Sequence, residues 1–458
     1  MGLIQTFFQM IKDTLNRISY VKNVIFWATT FLNEELNRGS LISGAKGLID
    51  FKFEEDMSLI DLFEEKVQQI PDKPFLIFQD QIFSYKIIDQ HANRLANYLL
   101  QIGGEHGKRI GLFMHMSQQI LDMFWAIQKV GMTAVPINIS VSPNHLLIIL
   151  EHFQLDYLCI DASLYKKIQG FPTIANMPFF IVNNFEGEFI QQPLPNQLHQ
   201  LGDAYREDKT YRNPGIGYRK QNISLVISKI DDNQTIQTVL YPYGSMVIKR
   251  CGFLAGLILN ENDIVYTTHT LWDHYLCHLL ILVLSARCSL VIAQKVQTAQ
   301  FWNDIRKHKA SVVCTSSVFV SDLMKQPRHP KDKNHTLRWI MASSCPLSVW
   351  ESFESRFGIP IYDIFWPNEH LSHVFVNLGS IPKGALELPY YNYSSSFKIE
   401  NNKGESVDHD MWGELLINNE NYLNSDHNHL IKKEKPDSKW IRTGCFAKID
   451  ANGYLFIK

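Results

Sequence analysis

Arg109-Ile-Gly-Leu-Phe-Met114, a helical run from Gln119 to Val130 closed by Gly131, and Thr133-Ala-Val-Pro-Ile137 together decide the fold. The first and last segments are short apolar runs of buried-strand type, and the middle is long enough for a helix with glycine at its end. The order is strand, helix, strand. A helical segment from Asn144 to His152 and a strand from Tyr157 to Ile160 repeat it. Such alternation predicts a parallel sheet with helices on its faces, the α/β class.

Upstream, Ser58 with Asp61 three residues later has capping-box spacing and opens a helix that the Pro71-Asp72-Lys73-Pro74 turn stops. Phe75 to Phe78 reads as a strand before a Gln79-Asp80 turn. From Tyr85 to Ile102, Ile88, Ala92, Leu95 and Leu99 recur at helical period before Gly103-Gly104, giving one apolar stripe to lay on a sheet. Downstream, Pro193, Pro195, Pro214, Gly215 and Gly217 mark residues 186–222 as a connector between two α/β halves. Alternation resumes at Leu225. From Phe397 the chain is strand-rich, with turns at Asn401-Asn402-Lys403-Gly404 and Asn452-Gly453, so residues 397–458 form a small antiparallel unit. The sequence shows no internal repeat.

The 458 residues are 45% hydrophobic and 20% charged, the balance of a globular chain of two or three domains. A net charge of −2 excludes a sequence-wide basic footprint, so no nucleic acid is expected as partner. The seven cysteines have neither CxxC nor Cys/His ligand spacing, which predicts reduced, unligated thiols on the cytosolic side of any membrane. No cleavable secretory signal is read. Residues 1–50 differ from the rest: Leu3, Ile4, Phe7, Phe8 and Ile11 recur at helical spacing, Val24 to Leu32 is apolar, and Lys12, Arg17, Lys22 and Arg38 flank these positions. An interfacial helix on a membrane surface and a helix packed on the body are both open readings. The pattern from Met1-Gly2 to Thr6 also fits N-myristoylation.

The stretch from Leu225 to Leu240 sits where a phosphate-gripping loop is expected, yet it has no glycine and carries Asp231-Asp232. Phosphate loops need glycine so that backbone N–H groups can converge on the anion, and carboxylates repel it. A plain turn between two strands is the reading these residues favour.

Phe83-Ser-Tyr-Lys-Ile-Ile-Asp-Gln-His-Ala-Asn-Arg-Leu-Ala-Asn97, Lys129 to Asn138, Ile340-Met-Ala-Ser-Ser-Cys-Pro-Leu347 running on to Trp350 to Pro360, Gly413-Glu-Leu415 with Tyr422-Leu-Asn424, and Arg442 to Phe456 occur in one order. In that order they resemble the adenylate-forming (AMP-binding) superfamily, within it the very-long-chain acyl-CoA synthetase and fatty-acid transport protein branch. The resemblance covers residues 55–458. It implies a large N-terminal adenylation domain at residues 51–458, and ATP-dependent activation of a long-chain fatty acid through acyl-adenylate, followed by transfer to coenzyme A. ATP, Mg²⁺ and coenzyme A are the cofactors it implies.

Carried onto this chain, the phosphate loop corresponds to Ser228–Ile236, with Ser228, Lys229 and Thr235 as its remaining polar candidates and Ile236 at the lysine position. The adenine turn corresponds to Ser343, Ser344 and Cys345, where serines replace glycines. The aromatic-plus-glutamate motif corresponds to Phe365-Trp-Pro-Asn-Glu369; Phe365 and Trp366 would face the nucleotide, and Glu369 would be the catalytic carboxylate holding Mg²⁺. Trp366 takes a glycine's place. Trp272 and His274 correspond to the border of the acyl channel, and Cys445 stands where the ribose-binding aspartate is expected. The family's mobile C-terminal lid would come after residue 458, and the expectation is that this chain lacks it. These departures predict a catalytically degenerate member that binds fatty acid or acyl-CoA, against the alternatives of a working ligase and an interaction scaffold. Its expected place is the cytoplasm or the cytosolic face of a membrane.

Overall fold

The computed structural model describes residues 57–171, 177, 179–184, 198–206, 210–215, 223–230, 236–242, 245–293, 295–367, 374–388, 397–418 and 440–458. Residues 1–56, with the membrane and lipidation readings placed on them, lie outside the described residues. Among the described residues, no helix is long and apolar enough to cross a membrane.

Helix α1 (Leu59–Gln69) starts as its sequence predicts, with the Asp61 backbone N–H donating to Ser58 Oγ at 3.2 Å and the Ser58 N–H to Asp61 Oδ2 at 2.9 Å. Strands β1 (Pro74–Phe78) and β2 (Gln81–Ser84) pair antiparallel. In α2 (Tyr85–Gln101) the stripe Ile88, Ala92, Leu95 and Leu99 is buried throughout. Then come β3 (Arg109–Phe113), α3 (Gln118–Val130), β4 (Thr133–Pro136), α4 (Pro143–Phe153) and β5 (Tyr157–Asp161). Gly131 closes α3 at φ +71°, where a Cβ would also lie 2.4 Å from the His106 ring. Only glycine meets both demands.

The connector is more structured than its prolines suggest. After β6 (Phe179–Asn183), strand β7 (Leu198–Gln200) adds parallel to β6, and a 3₁₀ turn at Leu201–Tyr205 brings the Tyr205 hydroxyl to within 2.9 Å of the buried Asp122 carboxylate. Strands β8 (Ile223–Ile230) and β9 (Ile236–Pro242) form an antiparallel hairpin.

The second half supplies α5 (Ser245–Ile258), β10 (Ile264–Thr267), α6 (His274–Ala286), β11 (Ser289–Ile292), α7 (Thr298–His308) and β12 (Val312–Cys314). It continues through α8 (Ser317–Met324), β13 (Trp339–Ala342), α9 (Leu347–Phe357), β14 (Ile361–Phe365) and β15 (Phe375–Asn377). Last, β16 (Phe397–Glu400), β17 (Gly413–Asn418), β18 (Trp440–Ile449) and β19 (Leu455–Ile457) make the expected antiparallel sheet.

The first sheet runs β15-β14-β13-β12-β10-β11-β1-β2 and the second β7-β6-β5-β3-β4-β8-β9. Leu76, Leu290 and Val312 of the first share one apolar core with Leu112, Ala134 and Leu225 of the second, joined by side chains of α2, α3, α5 and α6. At its centre Trp125 stacks on Phe63 with ring centroids 4.4 Å apart. Lys129, buried in α3, pairs with Glu64 of α1 and, at 2.9 Å, with Asp89 of α2.

The two sheets are wound alike. In the first, β10 leads to its neighbour β11, and the chain then crosses back to β12 on the other side and on to β13. In the second, β3 leads to β4, back across to β5, and on to β6. The sequence carries no repeat that announces this.

Candidate functional site

Open parallel sheets bind ligands outside the carboxyl ends of their strands, at the point where successive connections turn opposite ways. In the first sheet that point lies between β10 and β12, with β13 and β14 alongside. Two of the residues predicted from sequence meet there, Ser343 just after β13 and Trp366 just after β14, both against Tyr275; Ser344 follows β13 as well, whereas Cys345 packs with Trp350 and Phe353, and Phe365, the last residue of β14, packs into the cluster of the small sheet.

The floor is a hydrogen-bonded polar seam. Thr267 Oγ1 donates to the Cys314 carbonyl at 3.1 Å, joining β10 to β12, and Thr268 and Thr315 meet hydroxyl to hydroxyl at 2.6 Å. His269 Nδ1 lies 2.8 Å from Asp273 Oδ2, while Asp273 Oδ1 caps α6 by accepting from the Tyr275 N–H at 3.0 Å. Burial alone would disfavour the imidazolium, but the Cys314 sulfur and the Asp273 carboxylate outweigh it and raise the His269 pKa, while Asp273 is lowered in return.

Above this seam the crevice is lined by rings. Tyr275 stacks on His269 at 4.9 Å and donates its hydroxyl to Ser343 Oγ at 2.7 Å. Trp366 meets Tyr275 edge-on at 5.5 Å and stacks on His278 at 4.7 Å. Its indole is only 2% exposed. Burial, reinforced by His274, drives His278 down to about 3, so this ring is neutral at physiological pH. A glycine at position 366 would leave this volume open; the indole fills it.

Ser344 has φ +53°, the left-handed region suited to glycine, and its N–H donates to Asp363 Oδ1 at 2.8 Å. Asp363 is buried in the middle of β14. Desolvation pushes its carboxyl up to about 7 even though the Ser344 and Cys345 backbone N–H groups favour the charged form.

Other candidates fall elsewhere. Cys445 lies in β18 and packs against the apolar cluster of the small sheet, which also contains Phe365; its N–H donates to Thr443 Oγ1 at 3.1 Å. Gly444 beside it keeps φ +71°. Trp272 packs against the main core, and His274 is buried at the first turn of α6. Ser228 and Lys229 are strand residues of β8, in register with Thr238 and Gln237 of β9. Thr235 and Glu369 lie outside the described residues.

Sequence reasoning missed His269, Asp273, Tyr275, His278 and Asp363. A usable signal existed: polar Thr268-His269 directly after an apolar strand, with Asp273 one helical turn beyond the histidine.

Known proteins place this arrangement in context. The chain is 23% identical over 328 residues to long-chain fatty acid transport protein 2 of Rattus norvegicus, a match covering 68% of this chain and 50% of that protein. It thus spans about half the length of that relative. It is 22% identical over 414 residues to crotonobetaine/carnitine–CoA ligase of Salmonella heidelberg (strain SL476), covering 84% of this chain and 76% of the ligase. The fold superposes on the anthranilate CoA ligase AuaEII in complex with anthranoyl-AMP with a TM-score of 0.74 at 18% identity, over 88% of this chain and 78% of the ligase. The Mycobacterium tuberculosis fatty acyl CoA synthetase gives 0.71 at 15%, over 88% and 78%. The AMP-binding enzyme model matches residues 63–179 and 237–424, leaving the β6–β8 region between the two blocks. By that match, which takes in more than half of its residues, the chain belongs to the AMP-binding enzyme family.

Proposed function

We propose that this chain is a catalytically degenerate acyl-CoA-synthetase relative that binds a long-chain fatty acid or its acyl-CoA without adenylating it. The observation that carries the reading is the state of the crevice above β10, β12, β13 and β14. Tyr275 is bonded to Ser343, and Trp366 is stacked on His278 where the resemblance calls for a glycine beside the nucleotide. Cys445 adds to it. Adenylation moves negative charge onto pyrophosphate and needs oriented donors, a cation and a fixed ribose. A thiol packed against an apolar cluster is a poor replacement for a charged ribose acceptor.

The reading is tested by ATP–pyrophosphate exchange with Mg²⁺ and a panel of fatty acids. No exchange is expected at any chain length, together with a rise in Tm on adding the preferred fatty acid. Robust exchange that disappears in Glu369→Ala would establish a working ligase instead.

Trp366 favours one second reading. A crevice closed by its own side chains suits a scaffold that takes no small ligand. A Tm that stays flat across fatty acids and acyl-CoAs would select it.

A further inference from the structure

The stretch between the two family-matched blocks contains a strap. After β7 the chain makes the 3₁₀ turn at Leu201–Tyr205 and then, at residues 210–215, contacts α2 and α1. Leu201 and Ala204 are fully buried in the main core. The other holds are polar. The Tyr98 hydroxyl donates to the Gln200 carbonyl at 3.3 Å, Asn97 Nδ2 to the Arg212 carbonyl at 2.8 Å, and Asn213 Nδ2 to Glu64 at 2.8 Å, while the Arg94 guanidinium stands 5.8 Å from the Tyr211 ring. Glu64 is also a partner of the buried Lys129, so the strap touches the ion pair that ties α1 to α3.

The pin of this strap is a carboxylate inside the core. Asp122, on α3, is 0% exposed; its Oδ2 accepts from the Tyr205 hydroxyl at 2.9 Å and from Gln118 Nε2, and lies 2.9 Å from His91 Nδ1. All three partners crowd one oxygen. Oδ1 has no hydrogen-bond partner among the described residues. The His91 ring meets Tyr205 edge-on at 5.3 Å and is 20% exposed, which links the carboxylate to solvent. An ionised carboxylate with one oxygen unpaired is costly to bury, and the cost falls when the turn lifts and water reaches it. Gln118 is uncharged. The titratable groups facing Asp122 are His91 from α2 and Tyr205 from the turn, and Cys159 of β5 faces Tyr205 with a thiol kept neutral by burial. Burial raises the Asp122 pKa above the ordinary carboxylate value, against the pull of His91 and Tyr205. A group so raised favours the docked state below its ordinary value of about 4 and loses that contribution as pH rises through the raised one.

We propose that residues 201–206 and 210–215 form a pH-sensitive strap, docked on α2 and α1 while Asp122 holds its proton and loosened as that proton leaves, with Asp122, His91 and Tyr205 as the clasp. Loosening takes Asn213 from Glu64 and uncovers the face of α2 that carries His91, Arg94 and Asn97. The clasp shares no residue with the crevice above β10, β12, β13 and β14, so it stands whatever that crevice binds.

The test is amide hydrogen exchange of the full chain from pH 4 to pH 8, corrected for intrinsic rates, in peptides from the strap and from β5 as reference. Opening of the strap is expected to rise by about tenfold or more across this range while β5 stays protected. In Asp122→Asn the side-chain carbonyl keeps the three contacts without the charge, so the strap should stay docked at every pH. Tyr205→Phe, which removes only the pin, should open the strap about tenfold more than in the parent at pH 4. A flat parent profile, a rise that survives in Asp122→Asn, or β5 opening in step with the strap would overturn the proposal. Should Asp122→Asn fail to fold, Tyr205→Phe decides, and strap protection unchanged from the parent in that variant sinks the clasp.

Discussion

Asp363 shows how much one buried side chain in the middle of a strand can report. Its folded pKa of about 7 lies well above the ordinary carboxylate range, so the folded state holds this proton more tightly than the unfolded chain does. Its contribution is therefore fully present below about pH 4 and is lost as pH rises through about 7. Asp363→Asn should flatten that part of the Tm–pH profile and make the variant more stable than the parent at pH 8, as thermal melts across pH 4–8 will show. Ser344, its donor, sits at φ +53°. Ser344→Gly should relieve left-handed strain and stabilise by about 1 kcal/mol in urea denaturation. Trp366→Ala should act the other way: losing a buried indole costs about 3–5 kcal/mol. The cavity it leaves among Tyr275 and His278 should admit small apolar molecules, read as a Tm gain with benzene in the variant and none in the parent.

Among the elements, those with local causes were legible in the sequence. The Ser58–Asp61 capping box, the buried stripe of α2, the Gly131 stop and the antiparallel unit after Phe397 all stand where the residues put them. They depend on neighbours within a turn or two, which a linear reading contains. Strand β7 was hidden because its stability comes from pairing with β6, and Pro193 and Pro195 just before it read as connector. The pairing of Lys129 with Glu64 and Asp89 was hidden for the same reason, since it joins three helices far apart in sequence. Lys129→Ala would remove a buried ammonium while its half-buried partners Glu64 and Asp89 keep donors in Asn213 and Asn93, and should cost about 1–3 kcal/mol by denaturant titration. The site was half legible. Ser343 and Trp366, named from the resemblance, lie at the candidate crevice while Phe365, named with them, packs with the small sheet; His269, Tyr275 and His278 acquire meaning only when β10 and α6 fold beside β13 and β14.

At the scale of the molecule, the two parallel sheets share one apolar core, so they should not melt separately. Trp125→Ala removes a ring stacked on Phe63 at the centre of that core and should cost about 3–5 kcal/mol. Hydrogen exchange at β5 and at β12 should accelerate together in this variant; protection lost in one sheet alone would show that the halves are energetically separate. The common winding of the sheets has a different consequence. A carboxylate-held histidine, His269 or His115, sits beyond the leading strand of each, yet each draws its carboxylate from its own half, Asp273 from the cap of α6 and Asp161 from the end of β5. Stability is pooled between the halves while each histidine is oriented within its own half, so a substitution at one carboxylate frees one ring and leaves the other held.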